Sequence, residues 1–553
     1  MTQPTDLPTR AARRIDPCPD SGPDASLGPC LDRRRLIGGV AAGAALALLP
    51  GRAAAQAAPP ALPAPGSPFS EATVPDLARA LGNRPFAAQA TNDVPDALKN
   101  LPREAYEAIR LRPEALLWGG EPHGFAVEPL LRGFYYTDRV ALFLVEDGVV
   151  RPVTYERGRY EAGSDAGAAA LPETEPGFSG LRIRARFGER HQDFAVFQGA
   201  CFYRLVGRGQ EFGVNGRALM LRPADPRGEE FPRWRALFVE RPKTPDGPLV
   251  LHALIDSDSL AAALRLELRP GETSTAAVTA TLVTRKAVEH LGLGGMQAPF
   301  LFGPHDRRGS DDARAAVYAA GGLQIRNGGG EAIWRPVRNP ETLQISGFLD
   351  NGPQGFGLTQ RDRAPATFED DVHHWERGPS LWVEPGERVG EPGGEALWGE
   401  GAVTLLEIPS DAEINENVIA YWRPKAALPA GQEVRVGYRQ SWGGEPPVAP
   451  LARVTSTRSG RGGANPRRLF LVDFTGDVLF TPEGAMVPLD TVLIAGPGRI
   501  VEGATRWIPH PETRTVRVAF ELDPGSERAC ELRLALKTEG RQVTETWLYR
   551  WTP

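Results

Sequence analysis

The 553-residue chain has little cysteine and methionine, four residues of each, and no excess of positive charge. Its formal net charge is −6, with 63 Lys and Arg against 69 Asp and Glu, and the two signs are interspersed along the chain. A protein that binds nucleic acid through phosphates usually carries a basic stripe or patch. The composition therefore argues against a nucleic-acid partner.

The sequence also lacks the short motifs of several enzyme classes. It contains no GxSxG nucleophile elbow, no phosphate-binding loop and no CxxC pair. His373 and His374 are adjacent, so along a strand they point to opposite faces and cannot chelate one ion well. The segment Gly292-Leu-Gly-Gly295 is predicted to be a turn, because no βαβ pattern surrounds it. We expect neither a metal nor a cofactor.

Long apolar runs are scarce, and the clearest one lies near the N-terminus. It covers about 14 residues from Leu36, too short and too rich in Gly and Ala for a comfortable membrane anchor. The arginine pair in Asp32-Arg33-Arg34-Arg35 precedes it, and the small residues before Gln56 follow it. This pattern predicts a twin-arginine signal peptide over residues 1–55, cleaved near Ala55, and a periplasmic location. The twin-arginine translocase is the partner expected during export.

Cleavage there removes two of the four cysteines and leaves Cys201 and Cys530. Each lies in a strand-like run, and the two are far apart in the chain. A disulfide between them is possible in an oxidising compartment. Two separately buried thiols are the favoured interpretation.

Glycine and proline are abundant, at 62 and 52 residues, which favours short strands and many turns. Helical patterns are predicted only around Glu71–Leu81, with Ser70 as N-cap, and around Val94–Ile109. The stretch Leu181–Phe187 alternates apolar residues with Arg, as a half-exposed strand of an antiparallel sheet does. The chain is therefore predicted to be mainly all-β.

Composition also suggests the domain organisation. Residues 56–68 are rich in Ala and Pro and are predicted to be a flexible leader. A large domain over 69–443 is followed by a Pro-rich linker at 444–452. Residues 453–553 contain about seven short strand patterns, which suits an immunoglobulin-like sandwich without its Cys–Trp–Cys pattern.

Aromatic, arginine and carboxylate residues cluster between about residues 334 and 442. Sugars present apolar C–H faces that stack on aromatic rings, and their hydroxyls need planar donors and acceptors. Glycosidic cleavage needs paired carboxylates, one to protonate the leaving oxygen and one to activate water or attack. The alternative is that individual tryptophans belong to the core and individual carboxylates are solvated charges. The candidates for sugar binding are Trp334, Arg361, Arg363, Trp375, Trp382, Tyr421 and Trp422. The cluster holds many carboxylates, Asp362, Glu413 and Glu416 among them, and composition alone does not select a catalytic pair.

Several segments resemble the OpgG/OpgD (MdoG) family of periplasmic glucan biosynthesis proteins, in family order from about Phe69 to Trp551. The twin-arginine pattern is more similar to the OpgD branch than to the OpgG branch. The matching segments are 197–210 (FQGACFYRLVGRGQ), 228–234 (GEEFPRW), 356–363 (FGLTQRDR), 377–385 (RGPSLWVEP), 413–424 (EINENVIAYWRP), 450–454 (PLARV) and 544–549 (TETWLY).

The resemblance implies a large N-terminal β-sandwich with a long groove, joined to a smaller immunoglobulin-like domain. It implies a β-1,2-glucan as ligand, in a family that includes β-1,2-glucanases and related glucan-processing enzymes. The membrane glucan synthase is a further candidate partner.

The chain departs from the family at two positions. Where the family usually carries the Asp of its general acid, this chain has Glu416, whose carboxyl lies one methylene further from the backbone. A second family Asp falls in 317–323, where Ala319 and Gly321 occupy the places concerned. Three carboxylates are possible substitutes: Asp311, Asp312 and Asp362.

Two functions follow. The first is hydrolysis or transglycosylation of β-1,2-glucan, with Glu416 as acid and Glu413 or Asp362 assisting. The second is a non-catalytic protein that binds or assembles the nascent glucan, which the missing Asp favours. A lectin for another polysaccharide is a third alternative.

Overall fold

The computed structural model describes residues 60–307, 311–386, 397–446 and 450–553, which belong to one compact unit over residues 57–553. The predicted signal peptide lies outside the described residues, as do the start of the leader and the centre of the linker. Among the described residues, no helix is long and apolar enough to cross a membrane.

Within the described ranges, helices are few and short. They are α1 (Thr73–Gly82), α2 (Asp96–Lys99), α3 (Arg103–Glu107), α4 (Asp165–Ala170) and α5 (Pro365–Phe368).

The strands up to the predicted linker are β1 (Ile109–Leu111), β2 (Phe125–Leu131), β3 (Ala141–Glu146), β4 (Val149–Pro152), β5 (Tyr160–Ala162), β6 (Phe178–Phe187), β7 (Arg190–Gln198), β8 (Phe202–Leu205), β9 (Asn215–Arg217), β10 (Met220–Leu221), β11 (Arg233–Glu240), β12 (Leu249–Asp256), β13 (Leu260–Arg269), β14 (Ser274–Thr284), β15 (Leu291–Ala298), β16 (Phe300–Phe302), β17 (Val317–Tyr318), β18 (Gly322–Arg326), β19 (Ala332–Pro336), β20 (Gln344–Asn351), β21 (Gly355–Thr359), β22 (Ser380–Pro385), β23 (Glu400–Glu407), β24 (Val418–Pro424) and β25 (Glu433–Gly443). Those after it are β26 (Arg453–Arg461), β27 (Arg468–Thr475), β28 (Asp490–Gly496), β29 (Arg499–Ile500), β30 (Arg506–His510), β31 (Thr515–Asp523), β32 (Cys530–Thr538), β33 (Arg541–Gln542) and β34 (Thr546–Trp551).

Both predicted helical regions are helical, with different bounds. The first helix, α1, follows Ala72 as its N-cap and not Ser70, whose backbone N–H instead donates to Thr73 Oγ1. The second region is not one helix but the two short helices α2 and α3, because Pro102 lies between them and has no N–H for a continuing helix. The apolar face of α1 packs on the outer side of β12, β13 and β14.

Two large sheets face each other and form the main core. The ten-stranded sheet runs β2-β6-β7-β8-β9-β15-β24-β23-β20, with β10 beside β15. The fifteen-stranded sheet runs β28-β32-β34-β19-β18-β21-β22-β25-β14-β13-β12-β11-β3-β4, with β33 beside β32. Tyr203 of the first donates from Oη to Gln440 Oε1 of the second at 2.7 Å, and both side chains are buried. The predicted all-β fold with a large sandwich is confirmed.

The predicted alternation in β6 is also confirmed. Leu181, Ile183 and Ala185 are buried in the core, whereas Arg182 and Arg184 lie on the other face. There the two arginines contact the carboxylates of Glu128 and Asp193.

The predicted turn at Gly292-Leu-Gly-Gly295 is wrong, because these residues lie inside β15. The strand has an irregular register against β24 between Leu293 and Met296, and Gly294 has a φ of +57°, which favours glycine. A Cβ on Gly292 would approach Tyr421 to 2.8 Å. The glycines thus allow close packing within a strand.

A smaller sandwich forms the C-terminal region. The sheet β26-β27-β31-β29, with β30 beside β31, packs against β32 and β34, and Phe470, Phe520 and Trp547 lie in the shared core. Strand β34 pairs in parallel with β19, so the fifteen-stranded sheet continues from the large sandwich into the small one. Strand β25 ends at Gly443 and β26 begins at Arg453; the domain bounds stay a prediction.

Cys201 and Cys530 are both buried and free. The favoured interpretation of two separate thiols is confirmed. Burial raises the pKa of each thiol, which keeps it in the unreactive protonated form.

Candidate functional site

A cavity of about 420 Å³ lies over the outer face of the ten-stranded sheet. On β8, Tyr203 and Leu205 pack into the core, so Phe202 and Arg204 project from the opposite face. Across the register from Arg204, Val196 of β7 also lines the cavity. Strand alternation therefore builds the floor of the site.

Aromatic residues form one wall of the cavity, in the turn after β2. The backbones of Gly133 and Tyr136 bond to each other, and Phe134 between them adopts a left-handed φ of +50°. This turn projects Tyr135, which is 80 % exposed, with its ring centroid 4.1 Å from that of Phe134. An exposed ring beside a cavity can stack on the apolar face of a sugar.

Glu416 reaches the cavity from the loop before β24. Its two carboxyl oxygens accept hydrogen bonds from Asn215 Nδ2 of β9 and Gln297 Nε2 of β15, which are paired in register. The next residue, Asn417, anchors the loop by bonding both backbone groups of Phe300, at 2.8 and 3.0 Å. Hydrogen bonds from two paired strands and an anchored loop thus fix the position of the carboxyl.

The surroundings of Glu416 favour its protonated form. Burial raises the pKa of this carboxyl above the ordinary range, and the hydrogen bond from Gln297 and the charges of Arg204 and Arg217 oppose that rise only in part. A carboxylic acid with a raised pKa in a cavity can serve as a general acid.

The other two predicted catalytic residues lie elsewhere, and neither lines this cavity. Glu413 forms an ion pair with Arg314 at 2.6 Å, and the same guanidinium binds Asp312 and Asp370, each at 2.8 Å. The structure therefore places Glu413, three residues before Glu416, in a separate charge cluster.

Asp362 lies beside the position where the resemblance implied a lost Asp. It accepts a hydrogen bond from Tyr318 Oη at 2.6 Å, and a Cβ on Gly321 would be 3.9 Å from its Oδ2. Burial and the neighbouring carboxylate raise the pKa of Tyr318, so its hydroxyl stays a donor. A carboxylate thus occupies the space next to Gly321.

Three of the predicted sugar-binding tryptophans are buried, Trp422 in the main core and Trp334 in the core of the small sandwich. Trp334, Trp382 and Trp422 are 6 %, 7 % and 0 % exposed. The indole of Trp422 donates to Leu397 O at 2.6 Å, and Arg361 lies 3.6 Å from the ring centroid of Trp334. This burial fits the alternative interpretation, in which individual tryptophans belong to the core. Sugar contact by these rings stays a prediction.

The two predicted arginines contact protein groups. Arg361 binds Glu545 at 2.7 and 2.9 Å and Glu445 at 2.7 Å, at the junction with the small sandwich. Arg363 donates to the carbonyl oxygens of Glu376 and Gly378. Both guanidiniums hold loops together in this structure.

Trp375 and Tyr421 complete the predicted set. Trp375 is half-buried, donates from its indole to Asp370 at 2.9 Å, and stacks on His373 at 5.4 Å. Tyr421 is buried on the outer side of the ten-stranded sheet and bonds His290 at 2.8 Å. Neither of these two residues lines the Glu416 cavity.

Sequence reasoning missed the residues that surround Glu416, notably Arg204, Asn215, Gln297 and Tyr135. The sequence contained a signal for Arg204, because this residue belongs to the matching segment 197–210 and occupies an outward position of a short strand. The consecutive aromatics at 134–136, which follow a glycine, were a signal for the wall. No local signal pointed to either amide.

The comparisons with known proteins agree with this resemblance. Residues 69–551 match the family described as "Periplasmic glucan biosynthesis protein, MdoG". Among similar proteins, "Glucans biosynthesis protein G" of Bradyrhizobium diazoefficiens is 40 % identical over 526 residues, covering 95 % of this chain and 100 % of the relative. The protein of the same name from Shewanella frigidimarina is 39 % identical over 490 residues, covering 88 % and 85 %. That from Vibrio cholerae is 38 % identical over 490 residues, covering 88 % and 87 %. The chain therefore belongs to the MdoG family of periplasmic glucan biosynthesis proteins.

Proposed function

We propose that this chain acts in the periplasm on the β-1,2-glucan backbone of glucan biosynthesis, by hydrolysis or transglycosylation, with Glu416 as general acid. One observation carries the proposal: a carboxyl whose pKa is raised by burial faces a cavity with aromatic and cationic walls. The family and the relatives' names support the glucan, and the linkage comes from the resemblance alone.

In the proposed step, the carboxyl of Glu416 gives its proton to the glycosidic oxygen as the bond to the anomeric carbon breaks. In hydrolysis, water then adds to the anomeric carbon and loses its proton to a base. In transglycosylation, a sugar hydroxyl takes the place of water. The amides of Asn215 and Gln297 hold the carboxylate that remains.

A specific observation favours the second candidate, a non-catalytic glucan-binding protein. The carboxylates predicted to assist Glu416 do not reach the cavity, and the two others in its lining have cationic partners. Glu107 pairs with Arg103 at 2.9 Å, and Asp138 pairs with Arg233. The proposal therefore assigns the acid and leaves the base unassigned.

The test is to incubate the mature protein with linear β-1,2-glucan and separate the products by size. We expect shorter or cyclic chains from the wild type and none from Glu416→Gln, which keeps the side-chain shape and removes the acidic proton. Glu413→Gln is the matched control, and it should retain activity because Glu413 lies in the Arg314 cluster.

If the wild type binds the glucan but forms no product, catalysis is rejected and the second candidate, a non-catalytic glucan-binding protein, is supported. Equal turnover in Glu416→Gln would reject this acid. A panel of other glucans in the binding assay tests the lectin alternative.

Export is part of the proposal. The arginine pair and the apolar run predict passage through the twin-arginine translocase and cleavage near Ala55. The membrane glucan synthase is proposed as a partner that delivers the nascent chain. The mass of the periplasmic protein would test the cleavage site. Disappearance of the protein from the periplasm when Arg33 and Arg34 are replaced by Lys would support the twin-arginine route.

A further inference from the structure

Arg204 is a half-buried cation on the floor of the Glu416 cavity. Within the part of the chain that the structure describes, no carboxylate lies within ion-pair distance of it, and no group accepts a hydrogen bond from it. Its guanidinium carbon lies 5.1 Å from the ring centroid of Phe212. The guanidinium of Arg204 therefore packs near an aromatic ring, and its N–H groups have no hydrogen-bond acceptor among the described residues.

The neighbouring charges do not share this property. Arg103 of the cavity wall pairs with Glu107 at 2.9 Å. Arg217, whose charge also acts on Glu416, pairs with Glu229. Of the two arginines that influence Glu416, only Arg204 has a guanidinium free to bind a ligand.

A guanidinium has five N–H donors and no acceptor, and partial burial removes the water that would otherwise bind them. No ion pair joins it to Glu416, so its charge is not neutralised there. The complementary ligand is therefore rich in oxygen acceptors, and it must fit beside the aromatic rings of Tyr135 and Phe202. A sugar unit has both the oxygen atoms and the apolar face.

We propose that Arg204 is a substrate-binding residue, whose guanidinium donates hydrogen bonds to oxygen atoms of the glucose unit in this cavity and positions that unit beside Glu416. This inference rests on the proposed function and adds a specificity residue to it. The same positive charge also favours the carboxylate that Glu416 becomes after it gives up its proton.

The test compares Arg204→Gln, Arg204→Lys and the control Arg208→Gln, in which an exposed arginine paired with Glu272 at 2.9 Å is changed. Products from linear β-1,2-glucan give KM, kcat and their pH dependence. Titration calorimetry in a Glu416→Gln background gives the Kd of glucan without turnover, and an unfolding curve for each variant checks the fold.

For Arg204→Gln we expect KM and Kd to rise roughly tenfold or more, because charge-assisted hydrogen bonds are lost. The alkaline limb of activity should move to higher pH, since loss of a cation raises the pKa of Glu416. Arg204→Lys should restore the position of the limb but only part of the affinity, because a lysine lacks the planar fork. Arg208→Gln should change neither.

Unchanged KM and Kd in folded Arg204→Gln would overturn the inference. If that variant does not fold, wild-type affinity in Arg204→Lys would overturn it. Wild-type protein that binds glucan but forms no product would reject the proposed catalysis alone, and the Kd values would then decide the role of Arg204. Wild-type protein that does not bind this glucan would reject both.

Discussion

Glu416 differs from the other carboxylates of the predicted set in what surrounds it. Glu413 contacts a guanidinium, and Asp362 accepts a hydrogen bond from a phenol, whereas Glu416 accepts hydrogen bonds from two neutral amides. Neutral donors compensate burial less than a close opposite charge does, so its pKa rises. The environment, and not the residue type, therefore distinguishes Glu416 as the proposed acid.

This environment predicts a pH dependence. A carboxyl whose folded pKa is raised stabilises the fold below its unfolded pKa, and this contribution is lost as pH rises through the folded pKa. The free energy of unfolding of the wild type, relative to Glu416→Gln, should therefore fall over that interval, and product formation should fall with it. Urea unfolding of both proteins, at a series of pH values above the pKa of an ordinary glutamic acid, measures this difference in free energy. A difference that does not vary with pH would contradict the raised pKa.

Strand β24 places two adjacent residues of the predicted sugar-binding set on opposite faces of the sheet. Tyr421 and Trp422 were both expected to bind sugar, yet adjacent residues of a strand point to opposite faces. Tyr421 lies on the outer side, and Trp422 packs against Trp398 in the main core with ring centroids 6.2 Å apart. The period of the strand alone excludes a shared surface for the two rings.

Replacement of Trp422 should therefore act on stability. Trp422→Ala is expected to lower the free energy of unfolding by about 3–5 kcal/mol, as large-to-small changes of buried aromatics do. Denaturant unfolding measures the loss, and Trp507→Ala, at a 42 % exposed ring of β30, is the control, with a much smaller effect. A stable Trp422→Ala that had lost only glucan binding would contradict the core assignment.

At the scale of the whole molecule, a shared sheet and a buried charge cluster are among the contacts that join the two sandwiches. Strands β19 and β34 pair across the predicted boundary, and Arg361 next to this pair binds Glu545, which is fully buried, and Glu445. Burial raises the pKa of Glu445. Arg361 also covers the ring of Trp334. Both residues were predicted to bind sugar, and here both pack at the junction of the two sandwiches.

Breaking this cluster should destabilise the protein. Glu545→Ala leaves the buried guanidinium of Arg361 with one carboxylate fewer, and removing one partner of a buried pair typically costs about 3–5 kcal/mol. Calorimetry should show a lower Tm. Lys425→Ala, which removes an ion pair exposed on both sides, should leave the Tm nearly unchanged. Equal Tm values for the two variants would show that the junction does not depend on this cluster.

The sequence by itself determined the class of fold, the family, the first helix and the alternation of strands such as β6. These features depend on residues close together in the chain, where turn residues and the period of apolar side chains act directly. Only the tertiary structure decided which carboxylate faces a cavity and which aromatics are core. Asn215 and Gln297 reach Glu416 across 201 and 119 positions of the chain, through the register of antiparallel strands. A contact over that separation depends on how the whole sheet pairs, so no local pattern contains it.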